Sequence, residues 1–312
     1  MTGEFERIAR LRELFGPLDA PDLGIGDDCA VLHDPRALVV SVDSAVEGVH
    51  FDRRWISPPD LAARSVEAAV SDLAAMGAVP RDLLLAWTLP RESPDSLVTD
   101  LARGVLRVTR RLGMRVVGGN LSAAPVLSLT TTALGREDGP SLRRDGARVG
   151  DALAVTGHPG AAAVGLRALM AGRGDDRAFA EFVELWRAPK ARIAEGRSLV
   201  ARAHSAIDLS DGLAQDASHV ADASGCALLI DADRLPWRPG QREAATALGL
   251  DPTKLALHGG EDYELLASGP AEAFDARWTL IGEVLPGAGV LVRQAGTTSP
   301  LRPVGWDHFT AG

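Results

Sequence analysis

The sequence predicts a two-domain α/β (α+β) protein whose N-terminal domain contains a mixed sheet with helices. Its 312 residues exceed the length of one average domain, although a single large α/β domain is also possible. Apolar segments of strand length alternate with amphipathic helical segments along the chain. Both halves also repeat one arrangement, in which a strand is followed by a turn of Asp, Gly or Ser and then by a helix.

The first half predicts the element order β-β-α-β-α-β-β. An amphipathic helix over Glu4–Phe15 precedes strands at Ala30–Leu32 and Leu38–Val42. Ser57-Pro58 then starts a helix, since a capping residue precedes proline at the first helical position, and this helix is expected to end near Met76. The remaining predicted elements are a strand at Asp82–Leu89, a helix at Ser93–Leu112, and strands at Met114–Val117 and Val126–Leu134.

A segment rich in glycine and charge, Gly135–Gly150, predicts the connection to the second half. We therefore expect an N-terminal domain at residues 1–138 and a C-terminal domain at residues 139–312. Helical segments are expected up to about Ala203, and another helix follows the SDG turn at Ser210. The predicted strands are Asp151–Thr156, Ser205–Leu209, Cys226–Ile230, Tyr263–Ala267, Trp278–Val284 and Gly289–Val292.

Composition excludes several classes of function. A net charge of −9 argues against a general nucleic-acid-binding protein, which would carry a basic face. No apolar run approaches the roughly 20 residues of a transmembrane helix, and the charged N-terminus resembles neither a signal peptide nor a membrane anchor. The two cysteines, Cys29 and Cys226, are too few for a disulfide framework. We expect a cytoplasmic protein without a membrane or nucleic-acid partner.

The chemistry is expected at recurring acidic turns. The sequence contains neither the GxxxxGK[ST] phosphate loop nor a strand-linked GxGxxG, but it contains GDD, SVD, SDL, GGN, IDLSDG and GGED. Carboxylates that follow buried strands are suitable ligands for Mg²⁺, which binds one or two carboxylates together with substrate phosphates. The alternative is that they are solvated turn residues, because Asp and Gly favour turns for local reasons. Asp72, beside the apolar face of its helix, fits either a metal ligand or a hydrogen-bonded residue near a helix end.

A series of motifs resembles one family over essentially the whole chain. These motifs are GEFERIARL, GIGDDCAVL, VSVDSAVEGVHF, VSDLAAMGAVPRDL, VVGGN, RRDGARVGD, IDLSDGLAQD, HGGEDYELL and GWDHF. In this order they resemble thiamine-monophosphate kinases, which belong to the superfamily of aminoimidazole ribonucleotide synthetase. The resemblance implies ATP-dependent phosphorylation of thiamine monophosphate to thiamine diphosphate. It also implies the two-domain fold of that superfamily and a homodimer in which the N-terminal sheets of two subunits pair.

The resemblance also implies the residues of the site. Mg²⁺ ligands are expected at Asp28, Ser41, Val42 (through its backbone carbonyl), Asp43, Asp72, Asn120, Asp208 and Asp211. ATP is expected to contact Gly119, Asn120, Arg144 and Ser210. Thiamine monophosphate is expected to contact His50, Glu261 and Trp306, although a core aromatic is the alternative role for Trp306.

This assignment is chemically consistent. The accepting phosphate oxygen is largely ionised at pH 7, because its second pKa is about 6, so no general base is required. Several Mg²⁺ ions would cancel the repulsion between two polyanions and align them for in-line transfer. Arg144 can add charge-assisted hydrogen bonds to phosphate, and Glu261 can accept a hydrogen bond from an aminopyrimidine.

One departure concerns a metal ligand. The family usually has GGD where this chain has Gly118-Gly119-Asn120, and an amide oxygen can bind Mg²⁺ but brings no charge. One Mg²⁺ site is therefore expected to be weaker, or filled only together with ATP. Two alternatives are a homologue that binds its ligands without turnover and another ATP-using enzyme of the superfamily.

Overall fold

The computed structural model describes residues 30–32 and 37–304. The predicted helix Glu4–Phe15, the Gly-x-Gly turn with Asp28, and the terminal GWDHF motif with Trp306 lie outside these residues. Two sheets and their helices make up the described part of the chain, as the predicted mixed α/β class requires.

The first sheet contains five strands from the first half of the chain. Its spatial order is β1-β2-β5-β3-β4, and β3 and β4 are parallel whereas the other neighbours are antiparallel. The predicted mixed sheet and the predicted element order are therefore confirmed. The strands are β1 (Ala30–Leu32), β2 (Leu38–Val46), β3 (Val79–Leu89), β4 (Arg115–Ala123) and β5 (Ser128–Arg136).

The prediction for β4 was too short. The expected strand ended at Val117, but the observed strand continues through Gly118-Gly119-Asn120 to Ala123. These glycines let β4 lie close to β3, because a Cβ atom on Gly119 would lie 1.9 Å from the carbonyl oxygen of Leu85. The GGN motif is thus part of a strand and not a turn after one. Asp43 likewise lies within β2 and not at its end.

Two helices, α1 (Pro58–Ala75) and α2 (Asp95–Leu112), pack together on the first sheet. The predicted start of α1 is confirmed, since the Ser57 side chain accepts a hydrogen bond from the N–H of Asp60 and proline occupies the first turn. Helix α2 ends at Gly113, whose left-handed conformation (φ 68°) favours glycine. The opposite face of the sheet is open, and Val42 and Leu84 are 64% and 39% exposed there.

The second sheet contains seven strands from the second half of the chain. Its order is β12-β11-β8-β10-β6-β9-β7, and only β8 and β11 among the described pairs are parallel. The strands are β6 (Ala152–Thr156), β7 (Ser205–Leu209), β8 (Ala227–Asp231), β9 (Glu264–Gly269), β10 (Trp278–Leu285), β11 (Gly289–Gln294) and β12 (Thr297–Pro300). The helices are α3 (Ala161–Met170), α4 (Ala180–Arg187), α5 (Ile193–Leu199), α6 (Leu213–Ser224), α7 (Gln241–Ala247) and α8 (Pro252–His258).

Helix α1 joins the two halves. Most of its residues are buried, and Leu73 and Met76 belong to the same hydrophobic cluster as Phe182 and Trp186 of α4. Helix α1 also packs against α5, β7 and β9. The first sheet and the second are therefore held against opposite sides of one helix. In the described ranges, no helix is both long and apolar enough to span a membrane.

Candidate active site

Carboxylates from both halves of the chain meet around α1. Asp43 lies on β2 and Asp72 on α1, and the hydroxyl of Ser41 donates a hydrogen bond to Asp72. Asp208 lies on β7, which packs against α1. Burial, and to a lesser extent the charge of Asp43, raises the pKa of Asp208 to about 6. Ser41 thus contacts Asp72, and Asp43 interacts electrostatically with Asp208, so four of the predicted metal ligands lie around α1.

Two acids of this group, Asp43 and Asp208, resist ionisation. Burial raises the pKa of Asp43, although the backbone N–H of Ser44, 2.6 Å from Oδ1 of Asp43, lowers it. For Asp208 burial raises the pKa by more than the charge of Arg144 lowers it. Crowded carboxylates of this kind fit Mg²⁺, since a hard cation prefers oxygen ligands and replaces the protons that they would otherwise bind.

A second polar cluster lies at the start of α6. Asp211, Asp216 and His219 each place one oxygen or nitrogen atom within 4.8 Å of the others. Asp216 is buried and accepts hydrogen bonds from the N–H groups of Asp211 (3.2 Å) and Gly212 (3.1 Å). Burial and the charge of Asp211 raise the pKa of Asp216, and burial lowers the pKa of His219 to about 4. The imidazole is therefore neutral at pH 7, as a metal-binding imidazole must be.

Asp216 and His219 were not among the residues predicted from the sequence. The available signal was their spacing of three residues, which places both on one side of α6 next to the SDG turn. Arg144, a predicted ATP residue, lies near both acidic groups. Burial raises the pKa of Asp208 and the charge of Arg144 opposes this effect, whereas burial and Arg144 both lower the pKa of His219. Its own carbonyl accepts a hydrogen bond from the hydroxyl of Ser224 (2.7 Å).

Pairing of β7 with β9 brings two predicted motifs together. The strands are antiparallel with Leu209 opposite Glu264, so Ser210 lies beside the segment that precedes β9. The N–H of Glu261 donates to the carbonyl of Ser210 at 2.8 Å. A Cβ atom on Gly260 would lie 2.5 Å from that same carbonyl oxygen. The glycine is therefore required for the IDLSDG and HGGEDY motifs to be in contact.

The backbone of the HGGEDY segment is strained. Glu261 and Tyr263 have φ values of 67° and 52°, in the left-handed region that favours glycine. Each such residue costs on the order of 1–3 kcal/mol and persists only where the surrounding structure imposes it, often at ligand sites.

A small cavity lies between β2, α1 and the HGGEDY segment. His50 is fixed there, because its Nδ1 accepts a hydrogen bond from the N–H of Val46 at 3.0 Å. The cavity therefore brings two predicted substrate residues, His50 and Glu261, to the same place as a predicted metal ligand. Its polar lining consists of Asp43, Ser44, His50, Arg64, Ser65, Glu261 and Tyr263.

Two further residues hold the Glu261 side chain and were not among the residues predicted from the sequence. Arg64 on α1 donates from Nη2 to Oε1 of Glu261 at 2.6 Å. Trp186 on α4 donates from Nε1 to Oε2 of Glu261 at 2.7 Å. These partners are 197 and 75 positions from Glu261, so no periodicity in the sequence connects them.

Gly119 and Asn120 lie away from the other predicted site residues. Asn120 of β4 pairs with Ala86 of β3, which pairs with Thr130 of β5, which in turn pairs with Ser44 of β2. Asn120 and Ser44 therefore lie on the same face of the sheet. Asp43 is next to Ser44 in β2, and successive residues of a strand point to opposite faces, so Asn120 lies on the face opposite to Asp43. In addition, β2 and β4 are separated by three strand spacings of about 4.8 Å each. Within one subunit, Asn120 therefore does not share a site with Asp43.

Comparison with known proteins identifies the family. Residues 26–136 match the model of the N-terminal domain of AIR synthase related proteins. Thiamine-monophosphate kinase of Escherichia coli O157:H7 is 37% identical over 98% of this chain and 98% of its own length. The enzyme of Aquifex aeolicus is 34% identical over 96% of this chain and 100% of its own length. The chain belongs to the thiamine-monophosphate kinase family.

Solved structures agree with this membership. The complex of AaThiL with AMPPCP and TMP has a TM-score of 0.91 and 32% identity, and it covers 98% of this chain and 97% of its own. Hydrogenase maturation protein HypE has a TM-score of 0.71 at 22% identity over 92% of this chain and 94% of its own, which shows a shared fold only. The full-length identity to thiamine-monophosphate kinases favours that family over the other superfamily reactions.

Proposed function

We propose that this chain transfers the terminal phosphoryl group of ATP to the phosphate of thiamine monophosphate, which yields thiamine diphosphate. The observation that carries the proposal is the placement of Asp43, Asp72 and Asp208 around α1, next to a cavity lined by Asp43, His50 and Glu261. The full-length relatives and the solved complex of AaThiL with AMPPCP and TMP support the same reaction.

The carboxylate groups would hold Mg²⁺. Asp43, Asp72 and Asp208 are the proposed ligands from the described residues, with Ser41, Asp211 and the backbone carbonyl of Val42 as further ligands. When bound, Mg²⁺ supplies the positive charge that lets two polyanions approach for in-line transfer. The protein residues orient the phosphates and need not remove a proton, because the accepting phosphate is already largely ionised at pH 7.

The remaining assignments divide the site between nucleotide and substrate. Arg144 and Ser210 would contact ATP phosphates beside the acidic groups. His50 and Glu261 would bind thiamine monophosphate in the cavity. Two residues outside the described ranges complete the proposal: Asp28 would be a further metal ligand, and Trp306 would be a further contact with thiamine monophosphate. The domain boundary at residues 138 and 139 and the cytoplasmic location stay predictions.

We further propose a homodimer that forms through β4. All nine residues of this strand are exposed, and Val117 and Leu121 are 54% and 58% exposed. An edge strand with exposed apolar side chains is a typical surface for association with a second copy. Gly119 and Asn120 belong to this strand, so in such a dimer they would lie at the interface, and we propose that they contact the nucleotide and Mg²⁺ there.

The direct test is ADP release by the purified protein with ATP and Mg²⁺, with and without thiamine monophosphate. We expect turnover only when thiamine monophosphate is present, and faster turnover at limiting Mg²⁺ in the Asn120→Asp variant, because a carboxylate binds the cation better than an amide.

Two outcomes would oppose the proposal. Thermal stabilisation by Mg²⁺ and ATP without ADP release would support the binding-only alternative. Absence of both stabilisation and turnover, in the wild type and in Asn120→Asp, would favour another reaction of the superfamily.

A further inference from the structure

We infer that Arg64 and Trp186 are positioning residues that fix the carboxylate of Glu261 in the wall of the substrate cavity. The inference rests on the proposed function, because that proposal assigns Glu261 to thiamine monophosphate. Neither residue belongs to the motifs that carry the family resemblance, and neither is next to Glu261 in sequence.

Each carboxylate oxygen of Glu261 accepts a hydrogen bond from a different helix. Arg64 Nη2 of α1 lies 2.6 Å from Oε1, and Trp186 Nε1 of α4 lies 2.7 Å from Oε2. Nη1 of Arg64 also donates to the backbone carbonyl of Trp186. The three residues therefore form a closed triangle, in which a separate donor holds each oxygen of the carboxylate.

The guanidinium of Arg64 is itself held in place. Its central carbon lies 4.7 Å from the centroid of the Trp186 ring and 5.5 Å from that of the Tyr263 ring, and the side chain is buried. Arginine stays charged when buried and is attracted to aromatic faces. Arg64 thus gives Glu261 a permanent counter-charge that neither moves nor titrates near pH 7.

The arrangement leaves part of the carboxylate available to a ligand. A carboxylate can accept about four hydrogen bonds, and Arg64 and Trp186 use one on each oxygen. A ligand that donates an N–H group, as an aminopyrimidine does, can use those that remain. Because the carboxylate is already oriented, binding need not bear the entropy cost of ordering it.

The matched experiment compares Trp186→Phe with Trp278→Phe. Phenylalanine at position 186 keeps an aromatic ring but removes the N–H donor to Glu261. Trp278 is a suitable control, because its Nε1 is buried and has no hydrogen-bond partner among the described residues. For Trp186→Phe we expect KM for thiamine monophosphate to rise about 5- to 10-fold, with kcat and KM for ATP within about twofold of wild type. Trp278→Phe should match the wild type in all three.

Arg64→Lys is a second variant, which keeps the charge but cannot reach both Trp186 and Glu261 with a planar fork. It should also raise KM for thiamine monophosphate selectively. Unchanged KM in both variants, or an equal rise in KM for ATP, would overturn the inference although the kinase activity itself remained intact. Absence of wild-type turnover would instead count against the proposed function.

A spectroscopic measurement tests the hydrogen bond between Trp186 and Glu261 independently of activity. The chain has six tryptophans and so six indole N–H signals in a ¹H–¹⁵N spectrum. Trp186→Phe identifies the signal of Trp186, and we expect Glu261→Gln to move it upfield, because a hydrogen bond to a charged acceptor becomes one to a neutral acceptor. Thiamine monophosphate should also shift it. A signal that Glu261→Gln leaves in place would refute the positioning contact, whatever the activity.

Discussion

At the scale of single residues, the buried carboxyl group of Asp208 couples pH to metal binding. Burial raises its pKa from 3.8 to about 6. The metal-free folded state therefore binds this proton more tightly than the unfolded state does. The resulting stabilisation is complete below about pH 4 and is lost as the pH rises through 6.

A cation at Asp208 must displace that proton, so affinity for Mg²⁺ should rise as the pH increases from 5 to 7. Below pH 6 we expect a gain approaching about tenfold per pH unit for each proton released. Isothermal titration with Mg²⁺, in two buffers of different ionisation enthalpy, measures both the affinity and the protons released. In Asp208→Asn the pH dependence should be weaker. An equally steep dependence in that variant would contradict the role of Asp208.

Prediction of the site from sequence depended on motifs that occur as short local patterns. The family resemblance implied Asp43, Asp72 and Asp208 as metal ligands, each in a short acidic motif, and the structure places all three around α1, while their role as ligands stays a prediction. Arg64 and Trp186 could not be expected in the same way. Their contacts with Glu261 depend on how α1 and α4 pack, and that packing leaves no local signal in the sequence.

At the scale of elements, β4 shows how a neighbouring strand changes the conformation of glycine-rich sequence. Two consecutive glycines predicted an end to the strand after Val117, because glycine weakens a strand in isolation. In the fold, the close approach of β3 requires a residue without Cβ at Gly119, so the same glycines allow the strand to continue. A local propensity was overridden by a contact with a strand about 35 residues earlier in the chain.

The exposed length of β4 makes dimerisation testable. The measurement is light scattering after size exclusion, and we expect the wild type to have the mass of a dimer. The double variant Val117→Lys/Leu121→Lys should have the mass of a monomer, because two lysines buried in the interface would oppose association. Met170→Lys/Val149→Lys is the matched control, since Met170 and Val149 are also exposed apolar residues but belong to the second half. A dimer that survives the β4 substitutions would place the interface elsewhere.

At the scale of the whole molecule, the sequence predicted the order of the strands and helices but not how the two halves contact each other. Periodicity marked one apolar face on α1, which accounts for its packing on the first sheet. The opposite side of α1 is also buried, and it includes polar residues. Glu67, for example, accepts a hydrogen bond from the N–H of Ala191 at 2.9 Å and a second from Arg111. A buried acid satisfied by distant partners cannot be distinguished from an exposed acid by its position in a pattern.

The shared position of α1 determines how the protein should unfold. A Cβ atom on Gly196 of α5 would lie 1.9 Å from the carbonyl oxygen of Ala74, so the second half lies directly against the helix that completes the first. The first sheet shares its hydrophobic core with α1, and Ala74 and Ala75 of α1 also belong to one core cluster of the second sheet, which has a further cluster of its own. We therefore expect one cooperative melting transition, with equal calorimetric and van't Hoff enthalpies per folding unit, and not two resolved transitions. Two polypeptides separated between residues 138 and 139 would each lose apolar contacts of this shared core, so we expect neither half to be as stable alone as it is in the whole chain.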